Sequence, residues 1–302
     1  LVDVVKAHAI DVLHVHYAIP HAYAGYMAKK MLADEGFHIP IVTTLHGTDI
    51  TLVGSHPFYR PAVTFSINHS DRVTAVSESL KNDTLRLFDI TTKIDVITNF
   101  IDIKKIEAKV MPCKRDLLAP KSHRIITHIS NFRPLKRIQD VIKIFEKISS
   151  TVSSKLLMVG EGPEKQKAVD YVKEKGLTES ISFLGNSNEI DKILCYSDLF
   201  LLPSEKESFG LSALEAMANK VPVISSNAGG IPEVNKDNFS GYLSDVGDLD
   251  GMAKNALLLL QDDTKLKQFK EQAKEQASLF HIDAIISQYE AVYSEAIAAH
   301  QF

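Results

Sequence analysis

The stretch "LFLLPSEKESFGLSALEAMANKVPVIS", residues 199–225, decides the fold class. It opens with an apolar run (199–203) and passes through a polar loop to Gly210. It continues as a helical pattern (210–219) and closes on a second apolar run (221–225). Both runs are continuous rather than alternating, as strands of a parallel sheet buried on both faces are. Strand, helix and strand in that order form one parallel crossover unit.

The same rhythm extends in both directions. Strands are predicted over 11–16, 39–45, 72–76 and 93–98, then over 123–130, 155–160, 180–185, 199–203 and 221–225. Helices over 21–35, 77–88, 136–150, 163–175 and 210–219 lie between them. The chain is therefore expected to be α/β, with parallel sheets and right-handed crossovers. Its 302 residues exceed what one core usually serves, so two domains are expected. The polar stretch 99–122, with its two prolines, breaks the rhythm and marks the join. This gives an N-terminal domain over 1–108, a second domain over 109–283 and a last helix over 284–302 that returns to the first. The N-terminal domain holds about four strands, few for a doubly wound fold, so its first strand and glycine loop are expected upstream, in a segment of about 60–80 residues.

Composition narrows the function. Hydrophobic residues make up 45% and charged ones 24%, ordinary for a soluble globular chain. A formal charge of -4 and no basic stripe argue against nucleic-acid binding. The two cysteines, Cys113 and Cys195, suggest neither a zinc site nor a disulfide framework, which points to a reducing, cytoplasmic setting. No apolar run reaches membrane-spanning length, so no stable membrane association is expected.

Within 199–225 the chemistry gathers at the glycine. Gly210 permits a tight turn at the carboxyl end of a strand, where open α/β sheets bind ligands. The first N–H groups of the following helix have no partner in the helix and form an anion site. Glu207 precedes the turn and Glu215 lies inside the helix; a carboxylate suits vicinal hydroxyls. Two solvated glutamates at a helix start are the plain alternative. In "HISNFRPLKRIQDVI" (128–142), Arg133 and Lys136 follow a strand and precede a helix, where they can face a diphosphate. "VGEGPEK" (159–165) sets Gly160 and Gly162 at a strand end, too short a pattern for a dinucleotide fingerprint. In the first half, His46-Gly47 ends the strand of "IVTTLHGTDIT" (41–51). "LHVHYAIPHA" (13–22) packs three histidines around Tyr17, but without a carboxylate set it does not read as a metal site. "SDVGDLD" (244–250) lacks the spacing of a calcium loop.

"SEKESFGLSALEAMANKVPVISSNAGGIPEV" (204–234), with Glu207 and Glu215 spaced as they are, resembles the C-terminal domain of the retaining glycosyltransferases of family 4. The resemblance implies a GT-B fold, two Rossmann-like domains facing across a cleft, and metal-independent transfer with no cofactor. It places Glu207 and His46 on the donor sugar and Glu215 on the ribose. Arg133 and Lys136 fall on the diphosphate, the backbone of Phe209, Gly210 and Leu211 on the sugar and phosphate, the loop "VGEGPEK" near the nucleotide, and the backbone of "LGNSNEI" (184–190) on its base. "HVHYAIPHA" and "TTLHGTDIT" resemble one branch of the family, which moves N-acetylglucosamine from UDP-GlcNAc to L-malate at the start of bacillithiol biosynthesis. The branch implies a homodimer and puts Tyr17 and Thr43 at the acceptor. Arg60 and Arg72 are the further cations considered for its carboxylates, though neither sits in a matched motif. Two alternatives stand beside this reading. One is a family 4 enzyme with a lipid, inositol phosphate or glycan acceptor; the other is an inactive nucleotide-sugar-binding fragment.

Overall fold

The computed structural model describes every residue except 55, 109–114, 116–118, 121, 301 and 302. Cys113 and the expected join after residue 108 border or fall in the segment outside the described residues. The chain forms two compact units, Leu1–Phe100 with Ile282–Phe302, and Ile101–His281.

Unit 1 holds a parallel sheet of four strands in the order β1-β2-β3-β4. They are β1 (Leu13–His16), β2 (Ile41–Leu45), β3 (Arg72–Ala75) and β4 (Ile94–Val96). β2 is buried along its whole length, which is why it reads as an unbroken apolar and threonine run. Leu13 and Ile41 pack with Val5 of the first helix (Val2–His8). The last helix, Ile282–Ala298, also belongs to this unit. Its Ile285, Val292 and Ala296 fall on one helical stripe and pack on Val42 and Ile97.

Unit 2 holds six parallel strands: β5 (Arg124–Ile129), β6 (Ser154–Val159), β7 (Ile181–Gly185), β8 (Leu199–Leu202), β9 (Val223–Ser226) and β10 (Gly241–Ser244). Their order is β10-β9-β8-β5-β6-β7. From β5 the sheet grows one way to β6 and β7 and the other way to β8, β9 and β10. This is the Rossmann order, with its topological switch between β5 and β8. The helix Ile138–Ser149 shows why the sequence folds this way: Ile138, Val141, Ile142, Phe145 and Ile148 recur at helical spacing and are all buried in one core.

Every strand read from the sequence is present, with ends moved by a residue or two. β10 is the strand the sequence reading missed. "GYLS" is short and half polar at an edge, and its glycine weakens the strand signal. The glycine is required there, because a Cβ on Gly241 would sit 1.8 Å from the Val223 carbonyl oxygen of β9. A second correction concerns the cysteines: Cys195 takes part in a disulfide, which the sequence reading did not expect. Among the described residues no helix is long and apolar enough to cross a membrane.

Candidate active site

The switch point of unit 2 is opened by a buried histidine. The β5–β8 ladder pairs Ile126 with Leu199 and Thr127 with Phe200. Beyond that pair the next side chain of β5 takes over, and His128 Nδ1 meets the Leu201 carbonyl at 2.8 Å. A carbonyl only accepts, so Nδ1 carries the proton. Nε2 then accepts from the Ser130 hydroxyl at 2.8 Å. Burial pulls the ring's pKa down to about 4, with the nearby Lys136 charge adding to the effect and the Leu201 bond opposing it. His128 is therefore a neutral strut between the two strands whose loops carry the site. Sequence reasoning passed over it; the only signal was a histidine inside an apolar strand.

The loop after β5 is bent by residues, not by glycine. Phe132 is fully buried at φ 36, and Arg137 sits at φ 52. Non-glycine residues adopt this left-handed region rarely. Between them lies the short 3-10 turn Pro134–Lys136. Lys136 Nζ reaches Glu207 Oε1 in the loop after β8 at 2.5 Å. Ser204 Oγ donates to the same oxygen at 3.0 Å, and Glu205 N donates to the Leu135 carbonyl at 2.8 Å. The two switch-point loops are thus joined by backbone and by charge. Arg133 is exposed, and its guanidinium has no partner among the described residues. The two glycines of "VGEGPEK" serve this loop: a Cβ on Gly160 would lie 1.8 Å from the Ser130 carbonyl oxygen, and one on Gly162 2.1 Å from that of Asn131.

The loop after β8 is shaped by a second glycine pair. A Cβ on Gly229 would meet the Glu207 carbonyl oxygen at 2.0 Å, and one on Gly230 that of Ser208 at 2.4 Å. Gly230 N donates to the Glu207 carbonyl at 2.9 Å. "GGIPE" therefore presses on the backbone of the glutamate loop and sets its height. Gly210, at φ 99, turns the chain into the helix Leu211–Ala218. Its carbonyl caps Ala213 and Leu214, while the N–H groups of Gly210, Leu211 and Ser212 have no acceptor among the described residues. The Phe209 side chain is core, edge-on to Phe280 at 5.6 Å, so only its backbone faces the loop. Glu215 is half-buried, and its carboxylate has no hydrogen-bond or ion-pair partner among the described residues. Burial raises its pKa, and the Asp191 carboxylate adds to the rise.

In unit 1 the carboxyl ends of β1 and β2 bring a row of rings together. His16 Nδ1 and His46 Nε2 lie 2.8 Å apart. The Tyr17 ring is 5.0 Å from that of His46. Gly47, at φ 107, turns the chain after His46, and the buried Asp49 carboxylate holds both loops. It accepts from Ala18 N at 2.7 Å and Gly47 N at 3.0 Å. Burial raises the Asp49 pKa, and those amide bonds oppose the rise. His14 is held at both nitrogens, by Tyr293 OH and Thr44 Oγ1, each at 2.7 Å. His14 and His46 are both pulled down to about 4, chiefly by burial and secondarily by the neighbouring histidines. A cavity of about 500 Å³ opens on His14, His16 and His46, walled by Tyr289 and Tyr293 of the last helix.

The other residues read as acceptor contacts are placed differently. Thr43 is fully buried, and its hydroxyl pairs with Ser70 Oγ at 2.7 Å. Successive strand residues face opposite ways, so Thr44, not Thr43, meets the histidine row. Arg72 opens β3, at the amino end of the sheet, where its Nε lies 3.5 Å from Glu295. Arg60 starts the helix Arg60–Asn68 and donates to the Leu87 carbonyl. Among the described residues no three histidine, cysteine or acidic side chains are grouped to hold a metal.

The comparisons with known proteins bear on both units. The model of Glycosyl transferases group 1 matches residues 113–276, and that of Glycosyltransferase Family 4 matches residues 1–105. N-acetyl-alpha-D-glucosaminyl L-malate synthase from Bacillus anthracis is 44% identical over 299 residues, which are 98% of this chain and 78% of that protein. The chain belongs to the family 4 glycosyltransferases. A more distant relative of this family 4 enzyme is 2-deoxystreptamine N-acetyl-D-glucosaminyltransferase from Niallia circulans, 24% identical over 97% of the chain and 78% of that protein. Sucrose-phosphate synthase from Thermosynechococcus elongatus has the same fold with a TM-score of 0.81, at 20% identity over 99% of this chain and 77% of that one. Anabaena HepE in complex with UDP gives 0.82, at 22% identity over 97% and 81%. The fold is GT-B, with two parallel Rossmann-like sheets.

Proposed function

We propose that this family 4 enzyme transfers N-acetylglucosamine from UDP-GlcNAc to L-malate with retention at the anomeric carbon. One observation carries the donor half. At the Rossmann switch point, helix-start amides and a carboxylate, Glu215, that have no partner among the described residues stand beside a Lys136–Glu207 pair. Such a site offers donors for a diphosphate and a vacant acceptor for ribose hydroxyls. Arg133 and Lys136 stabilise the departing diphosphate, Glu207 and His46 meet the donor sugar, and the backbone of Phe209, Gly210 and Leu211 faces sugar and phosphate. With the reactants held in register, the leaving phosphate takes the acceptor proton, and the protein contributes positioning and fixed charge. The acceptor half is supported by the relative from Bacillus anthracis, whose name specifies L-malate. Tyr17, beside His46, remains the proposed acceptor contact. Thr43 keeps that role only if its bond to Ser70 breaks, and the Thr44 hydroxyl is taken by His14 and Thr74. We place the reaction in the cytoplasm, as the composition suggests, although a disulfide such as that of Cys195 is unusual there.

Release of UDP from UDP-GlcNAc tests the reading. It should require L-malate and fall sharply with lactate, because a site built for two carboxylates leaves donors unpaired around one. Equal rates with the two acids would remove the malate assignment. The cationic residues of the donor site should also make activity indifferent to EDTA. Complete loss on chelation, restored by magnesium or manganese, would show that the diphosphate is neutralised by an ion instead.

A further inference from the structure

His46 does not stand alone at the end of β2. Its Nε2 is tied to His16 Nδ1 at 2.8 Å, and its Nδ1 has no partner among the described residues. The ring is held between two others, His16 and Tyr17, each with its centroid 5.0 Å away. His16 is itself backed by the His14 ring at 4.5 Å. His14 cannot turn without breaking its bonds to Thr44 and Tyr293. The row is therefore fixed from the last helix through β1 to the loop after β2.

We propose that His16 is a positioning residue, which sets the orientation and the tautomer of His46 through the imidazole–imidazole bond. The inference rests on the reading of His46 as the group that meets the donor sugar. Two neutral imidazoles can share one hydrogen bond only if a single proton lies between Nδ1 of one and Nε2 of the other. Whichever ring carries that proton, the state of the free Nδ1 of His46 follows from it. If His16 donates, His46 presents Nδ1–H as a donor; if His46 donates, it presents a bare Nδ1 as an acceptor. A ligand reaching His46 with the pair intact thus meets one free nitrogen, Nδ1, whose protonation state is tied to that of His16. The burial that keeps both rings neutral at neutral pH supports this arrangement.

Nitrogen-15 NMR of the histidine-labelled full chain, without substrate, tests the pairing directly. The expected result is a through-bond coupling between His16 Nδ1 and His46 Nε2, and one tautomer for His46. A missing coupling with a mixture of His46 tautomers would overturn the proposal. Two variants separate positioning from bulk. His16→Phe keeps a ring but removes the nitrogen, whereas His16→Asn puts an amide where Nδ1 stood. His16→Phe should give mixed His46 tautomers and lower kcat about tenfold, the worth of one lost hydrogen bond, with KM for UDP-GlcNAc little changed. His16→Asn should restore a single tautomer and most of kcat. A wild-type tautomer pattern in His16→Phe would also overturn it. An intact coupling in a protein that releases no UDP with any acceptor would instead count against the proposed function, and leave the positioning role standing.

Discussion

Glu215 is a carboxylate that folding alone does not explain. It sits inside a helix, half-buried, without a partner among the described residues, and both burial and Asp191 raise its pKa. A raised acid pKa means that the folded state holds the proton more tightly than the unfolded chain does. The stabilisation it brings is present at low pH and is lost as pH rises through the folded value. At neutral pH the ionised group is a burden on the free protein. Glu215→Gln should therefore raise the melting temperature while weakening UDP binding about 10- to 150-fold, the loss of a charge-assisted hydrogen bond. Calorimetric titration of UDP and a thermal scan decide it; unchanged affinity would sink the ribose role, and a lower melting temperature would show that the ionised carboxylate is no burden on the free protein. Glu207 differs because its charge is already taken by Lys136. Glu207→Ala should leave UDP affinity at or above the wild-type level, since it frees the lysine, while turnover falls. Equal loss of UDP binding in the two variants would show that the roles are misassigned. The sequence made both glutamates legible, because spacing and the glycine turn are local features. The lysine–glutamate bond was not, since residues 136 and 207 meet only when β5 and β8 become neighbours.

At the scale of elements, loops are set by glycines that lie far away in sequence. Gly229 and Gly230 press on the backbone of Glu207 and Ser208, and Gly160 and Gly162 on that of Ser130 and Asn131. Both Gly160 (φ 126) and Gly229 (φ 57) also occupy the left-handed region. Gly160→Ala combines strain with a backbone clash and should cost about 3 kcal/mol or more of stability, read as a lower urea midpoint. Gly229→Ala should act more locally, lifting the Glu207 loop and reducing turnover well beyond any change in the midpoint. A variant with wild-type turnover would show that the loop does not depend on the glycine pair. The strands were legible because central parallel strands are apolar throughout. β10 was not, because an edge strand of four residues with a glycine carries little of that signal. The sequence reading took "VGEGPEK" as a nucleotide loop. Its glycines answer to the loop after β5, a contact that no local pattern encodes. Likewise the alternation along β2 was available in the sequence, but which face looks toward the histidines depends on how β1 and the last helix pack.

For the molecule as a whole, the arrangement of buried histidines makes a statement about acid. His14 and His46 in unit 1 and His128 in unit 2 each titrate near 4 in the folded chain against an ordinary 6.5, with burial the leading cause in all three. The sign follows from linkage. Between about pH 6.5 and 4 the unfolded chain binds protons that the folded chain refuses, so stability falls as pH falls, by up to about three protons' worth of slope. Glu215 and Asp49, both raised by burial, work the other way and offset part of this, while His16, lowered by burial, adds to it. Urea unfolding at pH 7, 6 and 5 should show the midpoint dropping at each step. His128→Asn offers a sharper test, because an asparagine amide can still donate toward the Leu201 carbonyl but does not titrate. The variant is expected to be less stable than wild type at pH 7. Its loss between pH 6.5 and 4 should nevertheless be shallower by about one proton, since one of the three reluctant bases is gone. A midpoint that stays flat from pH 7 to 5, or a His128→Asn slope equal to wild type, would mean that the buried imidazoles are not held neutral by the fold. The strut between β5 and β8 would then need another explanation.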